Sequence, residues 1–266
     1  MLDKTKYFEE VKSYKFIANK SLGQNFLVDP NIAEKIVEKL DQNESDNTLE
    51  IGAGLGSLSY FLAQKDGHKT LIDVDEKMLM FLSEKFKNIK DLQVKRENIL
   101  KSDLNGYTKI IGNLPYYITS GIIEHILLNA INAKKIVLMC QKEVYPKLTK
   151  SNISPLSILL NYVSDISQPM NVSRNAFAPI PHVDSVVFEL VPNPNIKNET
   201  NRDVYRLIEK LFLHRRKNIL NCLSSVCPTR EEAKKVLLQC GFSENLRPEQ
   251  FKIEDFQKLY EVLKSQ

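Results

Sequence analysis

Leu49-Glu50-Ile51-Gly52-Ala53-Gly54-Leu55-Gly56 is the stretch whose reading decides the fold. It begins as a short apolar strand (TLEIG, 48–52) and passes through three glycines into SLSYFLAQKD (57–66), whose spacing predicts a helix. Glycines at a strand-to-helix turn let the backbone bend tightly and approach a ligand, with the helix N-terminus facing it. The following strand, HKTLIDVD (68–75), brings Asp73 and Asp75 to its end. In open α/β sheets the C-terminal strand edge holds ligands, and an acid there chelates ribose hydroxyls. Asp73 suits that role. Asp75, directly before a helical pattern, reads as a helix cap.

The same alternation extends in both directions. Upstream, DPNIAEKIVEKLD (29–41) carries apolar residues at Ile32, Ile36, Val37 and Leu40, with Asp29 as cap and Pro30 at the first helical position. Downstream, EKMLMFLSEKF (76–86) and TSGIIEHILLNA (119–130) predict helices, while 92–98, 107–113 and 134–141 predict strands. This βαβ rhythm implies a mainly parallel sheet with helices on both faces. DISQPMNVSRNAF (165–177) and SVVFELVP (185–192), joined through PIPHVD, predict an antiparallel hairpin closing one sheet edge. PNPNIKNETN (192–201) reads as a linker and the remainder as helical, which predicts an α/β domain over 1–196 and a small all-α domain over 197–266.

Composition narrows the function. The chain has 266 residues, 42% of them hydrophobic and 26% charged, an ordinary globular balance. The net charge is only +4, but it is unevenly placed. Residues 1–28 hold five lysines against three acids, and 201–266 hold thirteen Lys and Arg against nine acids. Basic ends around a slightly acidic body suit a polyanionic partner. Four cysteines, Cys140, Cys222, Cys227 and Cys240, form no CxxC pair and no metal-ligand spacing, so they read as reduced structural thiols with no metal site. No signal-peptide pattern or membrane-length apolar run occurs, which predicts a cytoplasmic protein without a membrane partner.

Strand 107–113 ends in Gly112-Asn113-Leu114-Pro115-Tyr116, at the mouth of the same sheet edge. The exocyclic N6 of adenine is a weak nucleophile because its lone pair is delocalised into the ring. Two acceptors aimed at its hydrogens, an Asn side-chain oxygen and a backbone carbonyl, would draw it toward tetrahedral geometry. Proline stiffens such a loop, and the tyrosine after it offers a face on which an extruded base can stack. If stacking is its whole role, Tyr116→Phe is nearly silent.

The spacing Gly-x-Gly-x-Gly, with Glu50 two residues ahead, departs from the dinucleotide pattern and resembles the first motif of Rossmann-like methyltransferases. Ser21-Leu22-Gly23-Gln24-Asn25-Phe26-Leu27, the glycine turn, NLPYYITS (113–120), Gln141-Lys142-Glu143-Val144 and Phe177-Ala178-Pro179-Ile180-Pro181-His182-Val183-Asp184-Ser185-Val186 together resemble the ribosomal RNA adenine dimethyltransferases. The resemblance covers about residues 15–260. LFLHRRKNILNCL (211–223) and Arg247-Pro248-Glu249-Gln250-Phe251 are similar to the C-terminal domain of the branch acting on the small ribosomal subunit.

The resemblance implies a seven-stranded class I methyltransferase sheet and S-adenosylmethionine as methyl donor, with no metal. It implies N6,N6-dimethylation of two adjacent adenosines in the 3′-terminal hairpin loop of 16S rRNA, by a monomer acting on the small subunit or its precursor. Asn25 and Leu27 would line the cofactor pocket, with Gly52 and Gly54 facing the methionine part and Asp73 the ribose. Asn98 falls where such proteins place an acid against the adenine amino group, and its carbonyl oxygen would accept instead. Asn113 would touch both cofactor and target. Leu114 and Pro115 would complete the catalytic loop, and Tyr116 and Phe177 would sandwich the base. Arg215, Arg216 and Lys217, read as part of a basic helix, would bind RNA backbone. The sequence departs from the family at Asn98, at Gly121, at Ser151, Ile153 and Ser154, and at His214 and Leu220. The same chemistry on large-subunit RNA or DNA, and a ribosome-assembly checkpoint, remain alternatives at this point.

Overall fold

The computed structural model describes residues 3–13, 24–149, 153–193 and 200–265. In chain order the elements are α1 (Lys4–Ser13), β1 (Phe26–Leu27), α2 (Pro30–Glu38), β2 (Asn47–Ile51), α3 (Ser59–Leu62), β3 (His68–Asp73), α4 (Glu76–Phe86) and β4 (Leu92–Arg96). Then come β5 (Lys109–Asn113), α5 (Thr119–Asn129), β6 (Lys135–Gln141), α6 (Tyr145–Leu148), α7 (Pro155–Val163), β7 (Ser164–Ile166), β8 (Met170–Val172), β9 (Phe177–Ala178) and β10 (Ser185–Pro192). Helices α8 (Thr200–Phe212), α9 (Ile219–Leu223), α10 (Arg230–Cys240) and α11 (Ile253–Lys264) complete the chain.

The main sheet runs β4-β3-β2-β5-β6-β10-β7, and β8 also pairs with β10. Strands β4 to β6 are mutually parallel, and β10 is antiparallel to β6. Apolar side chains explain the placement. Ile110 and Ile111 on β5 and Ile136 to Cys140 on β6 are buried, as central parallel strands covered on both faces require. β7 and β8 occupy one edge position, opposite the two ends of β10, with residues 167–169 between them. Pro169 lacks the N–H a ladder needs, and an edge strand tolerates that gap. The seven-position, mainly parallel sheet and the antiparallel edge are therefore as the sequence predicts.

Two elements differ. The predicted helix 57–66 is helical only over Ser59–Leu62, with turns on either side. The basic leader hides α1, whose Tyr7, Phe8 and Val11 are buried against Tyr60, Phe61, Phe81 and Phe86. Helix α2 follows the sequence reading: the Asp29 carboxylate accepts from Asn31 and Ile32 N–H, with Pro30 next to it.

The chain divides into two compact units, Met1–Tyr145 with Ser164–Pro194, and Pro146–Val163 with Asn195–Gln266. A single cut at 196 misses that 146–163 cluster with the C-terminal residues. Most of the expected linker, 194–199, lies outside the described residues, as does Ser151. The second unit has its own core, with Val204, Ile208 and Leu211 of α8 packed with Ile219, Val236, Phe256 and Leu259. Helix α10 starts in a Thr229–Glu232 capping box and ends at Gly241, whose φ of 70° suits glycine.

Candidate active site

A cavity of about 280 Å³ opens along the C-terminal ends of β2 to β5, entirely within the first unit. Gly52 and Gly54, Asp73, Glu97 and Asn98, and the loop Asn113 to Tyr117 all line it. Asn25 and Leu27 close another side. Ten of the site residues singled out from sequence thus meet in one place, among them all the expected cofactor contacts and the whole Asn-Leu-Pro-Tyr loop.

The glycine turn is held from several directions. Gly54 has φ of 55°, and a Cβ there would lie 3.3 Å from the Phe26 ring. Its N–H donates to the Asp73 carboxylate at 2.9 Å, and Asp75 N–H donates to the other Asp73 oxygen at 2.9 Å. Burial pushes the Asp73 carboxyl up, opposed by these backbone hydrogen bonds. Asp73 therefore both fixes the turn and presents a carboxylate to the cavity, while Asp75 caps α4 by accepting from Lys77 N–H. From outside the cavity, the Tyr7 hydroxyl of α1 reaches the Leu55 and Gly56 carbonyls at 2.8 and 3.1 Å. Tyr7 went unnoticed in the sequence, although an apolar stripe at 7, 8 and 11 marks the helix.

Glu50 sits beneath the turn, accepting from the Ser59 hydroxyl at 2.6 Å. Desolvation raises its carboxyl to about 8, with Ser59 opposing and Asp73 adding to the rise. Burial thus favours the protonated, neutral acid.

The Asn113–Tyr116 loop is anchored at both ends. Leu114 N–H donates to the Met139 carbonyl at 2.9 Å, and the Pro115 carbonyl accepts from the Thr119 hydroxyl at 3.0 Å and Ile118 N–H at 3.3 Å. Asn113 Nδ2 donates to the Asn25 carbonyl at 3.2 Å, so the side-chain oxygen is the end left for a ligand. Among the described residues no hydrogen bond ends on the Leu114 carbonyl. The Tyr116 hydroxyl pairs with Ser185 Oγ at 3.3 Å, so the ring is positioned from β10. Desolvation raises the Tyr116 phenol, opposed by Ser185. The partner was not legible in sequence, and it gives the Tyr116 hydroxyl a contact besides any stacking of the ring. Cys140 lies behind, its thiol pushed by burial to about 12 and therefore un-ionised.

Phe177 is not brought to this cavity. It is 2% exposed, pairs across from Leu27 in the β1–β9 ladder, and belongs to the core. An aromatic ring gains more from that burial than from a wet wall, and the sequence cannot say which face it takes. Tyr117, 59% exposed and beside Tyr116, lines the cavity mouth instead.

Arg215, Arg216 and Lys217 are exposed in the second unit. They lie on the turn between α8 and α9, not on a helix face as the sequence suggested. Asn218 caps α9 by accepting from Asn221 N–H, which ends any continuous helix before it. Arg215 approaches Glu249 at 3.7 Å. The four cysteines are free and buried. Among the described residues no group of three or more His, Cys, Asp or Glu could hold a metal, and no helix is long and apolar enough to cross a membrane.

Comparison with known proteins adds the name of this arrangement. The family model described as ribosomal RNA adenine dimethylase matches residues 15–265. The chain belongs to the ribosomal RNA adenine dimethylase family. Within it, the ribosomal RNA small subunit methyltransferase A of Levilactobacillus brevis is 35% identical, covering 92% of this chain and 90% of that one. The protein of the same name from Streptococcus pneumoniae is 34% identical over 94% and 93%. Among solved structures, a dimethyladenosine transferase from Plasmodium falciparum superposes with a TM-score of 0.74 at 25% identity, covering 89% and 96%. The 23S rRNA methyltransferase ErmE, at 24% identity and TM-score 0.64, shares the fold.

Proposed function

We propose that this chain transfers methyl groups from S-adenosylmethionine to N6 of two adjacent adenosines in the 3′-terminal hairpin loop of 16S rRNA. The reaction yields N6,N6-dimethyladenosine during small-subunit biogenesis in the cytoplasm. The observation that carries this reading is the Asn113 amide: its nitrogen is committed to the Asn25 carbonyl, which leaves the oxygen to accept from an amine. An acceptor pair made by that oxygen and the Leu114 carbonyl matches the two hydrogens of an adenine N6.

The residues present fit the donor. The Gly54 turn lets backbone approach a ligand, and each Asp73 oxygen, already accepting one N–H, keeps a lone pair for a ribose hydroxyl. When bound, S-adenosylmethionine supplies an electrophilic methyl group on a cationic sulfur, so the amine needs no metal activation. The chain's own task is then orientation. Tyr116, held by Ser185, stacks the extruded base, and Pro115 keeps the loop from shifting. Asn113 Oδ1 and the Leu114 carbonyl favour the pyramidal nitrogen over the planar one, which lowers the barrier and not the binding energy.

Arg216 and Lys217, with Arg215, form an exposed cationic turn suited to phosphates, and the second unit is the proposed rRNA-binding domain, acting as a monomer. The names of the small-subunit relatives, matched across nine-tenths of both chains, favour 16S over 23S rRNA. Mass spectrometry of rRNA from a strain deleted for this chain tests the assignment. Loss of dimethyladenosine from 16S rRNA alone is expected, and its persistence would overturn the reading.

A further inference from the structure

The glycine turn borders the cavity, yet one of its supports comes from a helix that does not line it. Gly52 and Ala53 N–H donate to the Ile72 carbonyl at 2.9 and 3.1 Å, and Gly54 N–H to Asp73, so β3 holds the first half of the turn. The second half turns on the Leu55–Gly56 peptide, a planar unit that rotates as one body. Gly56, at φ of 75°, leaves that rotation weakly constrained by sterics. Two partners settle it. Gly56 N–H donates to the Ala53 carbonyl at 2.8 Å on one side. On the other, the buried Leu55 carbonyl accepts at 2.8 Å from the Tyr7 hydroxyl, which is its sole hydrogen-bond partner among the described residues.

Tyr7 is fixed where it stands. It is 3% exposed, with its ring centroid 4.9 Å from that of Tyr60 and 5.6 Å from that of Phe8. Burial raises its phenol well above the ordinary value, so the hydroxyl keeps its proton and donates. A Cβ on Gly56 would collide with this hydroxyl, so helix and turn are fitted to each other at that point. Helix α1 lies outside residues 15–265, the stretch that the family model matches. On the donor reading given above, we infer that Tyr7 is a positioning residue for the S-adenosylmethionine site, its hydroxyl holding the Leu55–Gly56 peptide in the orientation that shapes the turn for its ligand. Without the hydroxyl, the buried Leu55 carbonyl has no partner, and the peptide rotates to find one at the expense of the Gly56–Ala53 hydrogen bond.

Tyr7→Phe keeps the ring in its aromatic cluster and removes only the hydroxyl. Val11→Ala, at a buried position one turn further along α1, loosens the helix without touching the turn. Calorimetry with S-adenosylhomocysteine on the full chain and both variants, with urea denaturation alongside, separates positioning from packing. Tyr7→Phe should weaken binding about five- to tenfold, the effect of one buried carbonyl left unpaired. Its KM for S-adenosylmethionine should rise by the same factor, with kcat changed less than about twofold. Val11→Ala should lower the urea midpoint at least as far as Tyr7→Phe, yet bind S-adenosylhomocysteine within about twofold of the natural chain. Unchanged affinity in Tyr7→Phe would overturn the inference. So would an equal loss of affinity in Val11→Ala, which would make α1 a packing element alone. If the natural chain itself fails to bind S-adenosylhomocysteine, the donor reading fails, and the role of Tyr7 falls with it.

Discussion

Glu50 offers a stability test that needs no substrate. Its carboxyl is raised to about 8 from an unperturbed 4.5, chiefly because burial penalises the charge. An acid raised in the folded state binds its proton more tightly there than in the unfolded chain. Its contribution is full below pH 4.5 and is lost as pH rises toward 8. The slope is about 1.4 kcal/mol per pH unit, so the loss from this one group between pH 4.5 and 7 is roughly 3 kcal/mol. That is a large part of the roughly 5–15 kcal/mol by which domains are stable. Glu50→Gln keeps an acceptor for the Ser59 hydroxyl and removes the titration. Urea denaturation of both proteins at pH 5, 6, 7 and 8, followed by circular dichroism, should show the variant gaining on the natural chain by about that slope. Parallel stability curves across the range would refute the burial argument and mean that Glu50 is ionised in the fold.

Three further outcomes follow from the geometry. Gly54→Val should abolish S-adenosylhomocysteine binding in calorimetry, because φ of 55° costs a side chain about 1–2 kcal/mol and its Cβ meets the Phe26 ring. Tyr116→Phe should lower turnover several-fold while Ser185→Ala does the same, since each leaves the other hydroxyl unpaired in a partly buried site, worth about 1 kcal/mol; the double variant should be no worse than either single one in steady-state assays. Arg216→Ala with Lys217→Ala should weaken rRNA binding and reduce its salt slope by about 2, with S-adenosylhomocysteine affinity unchanged by calorimetry.

Much of this architecture is legible in the sequence because central parallel strands, buried on both faces, appear as apolar runs, as in KIVLMCQ of β6. The cavity wall is legible for a related reason: tight turns at strand ends favour glycine, and Gly54, with φ of 55°, donates its N–H to Asp73. What stayed hidden depends on long-range choices. Nothing local to 155–163 says which core its apolar face joins, yet it clusters with the C-terminal helices. Phe177 is equally aromatic whether it faces a ligand or the core. Helix α1 is masked by its lysines, which surround a buried stripe at Tyr7, Phe8 and Val11. The orientations of Asn98 and Asn113 are set by the Leu100 N–H and the Asn25 carbonyl, one a local cap and the other 88 residues away in the chain.

The central claim is that the Asn113 oxygen and the Leu114 carbonyl activate an adenine amine. Small ribosomal subunits lacking the modification, incubated with S-adenosylmethionine and either the natural chain or Asn113→Ala, can be digested and their mono- and dimethyladenosine quantified by mass spectrometry. The natural chain should convert two adjacent adenosines fully to dimethyladenosine. Asn113→Ala should bind S-adenosylhomocysteine and subunits nearly normally, yet turn over about 10²–10³-fold more slowly. Its residual product should be mainly monomethyladenosine, because the second transfer has one hydrogen left to hold. Full dimethylation by Asn113→Ala at the natural rate would contradict the account and place the chemistry elsewhere.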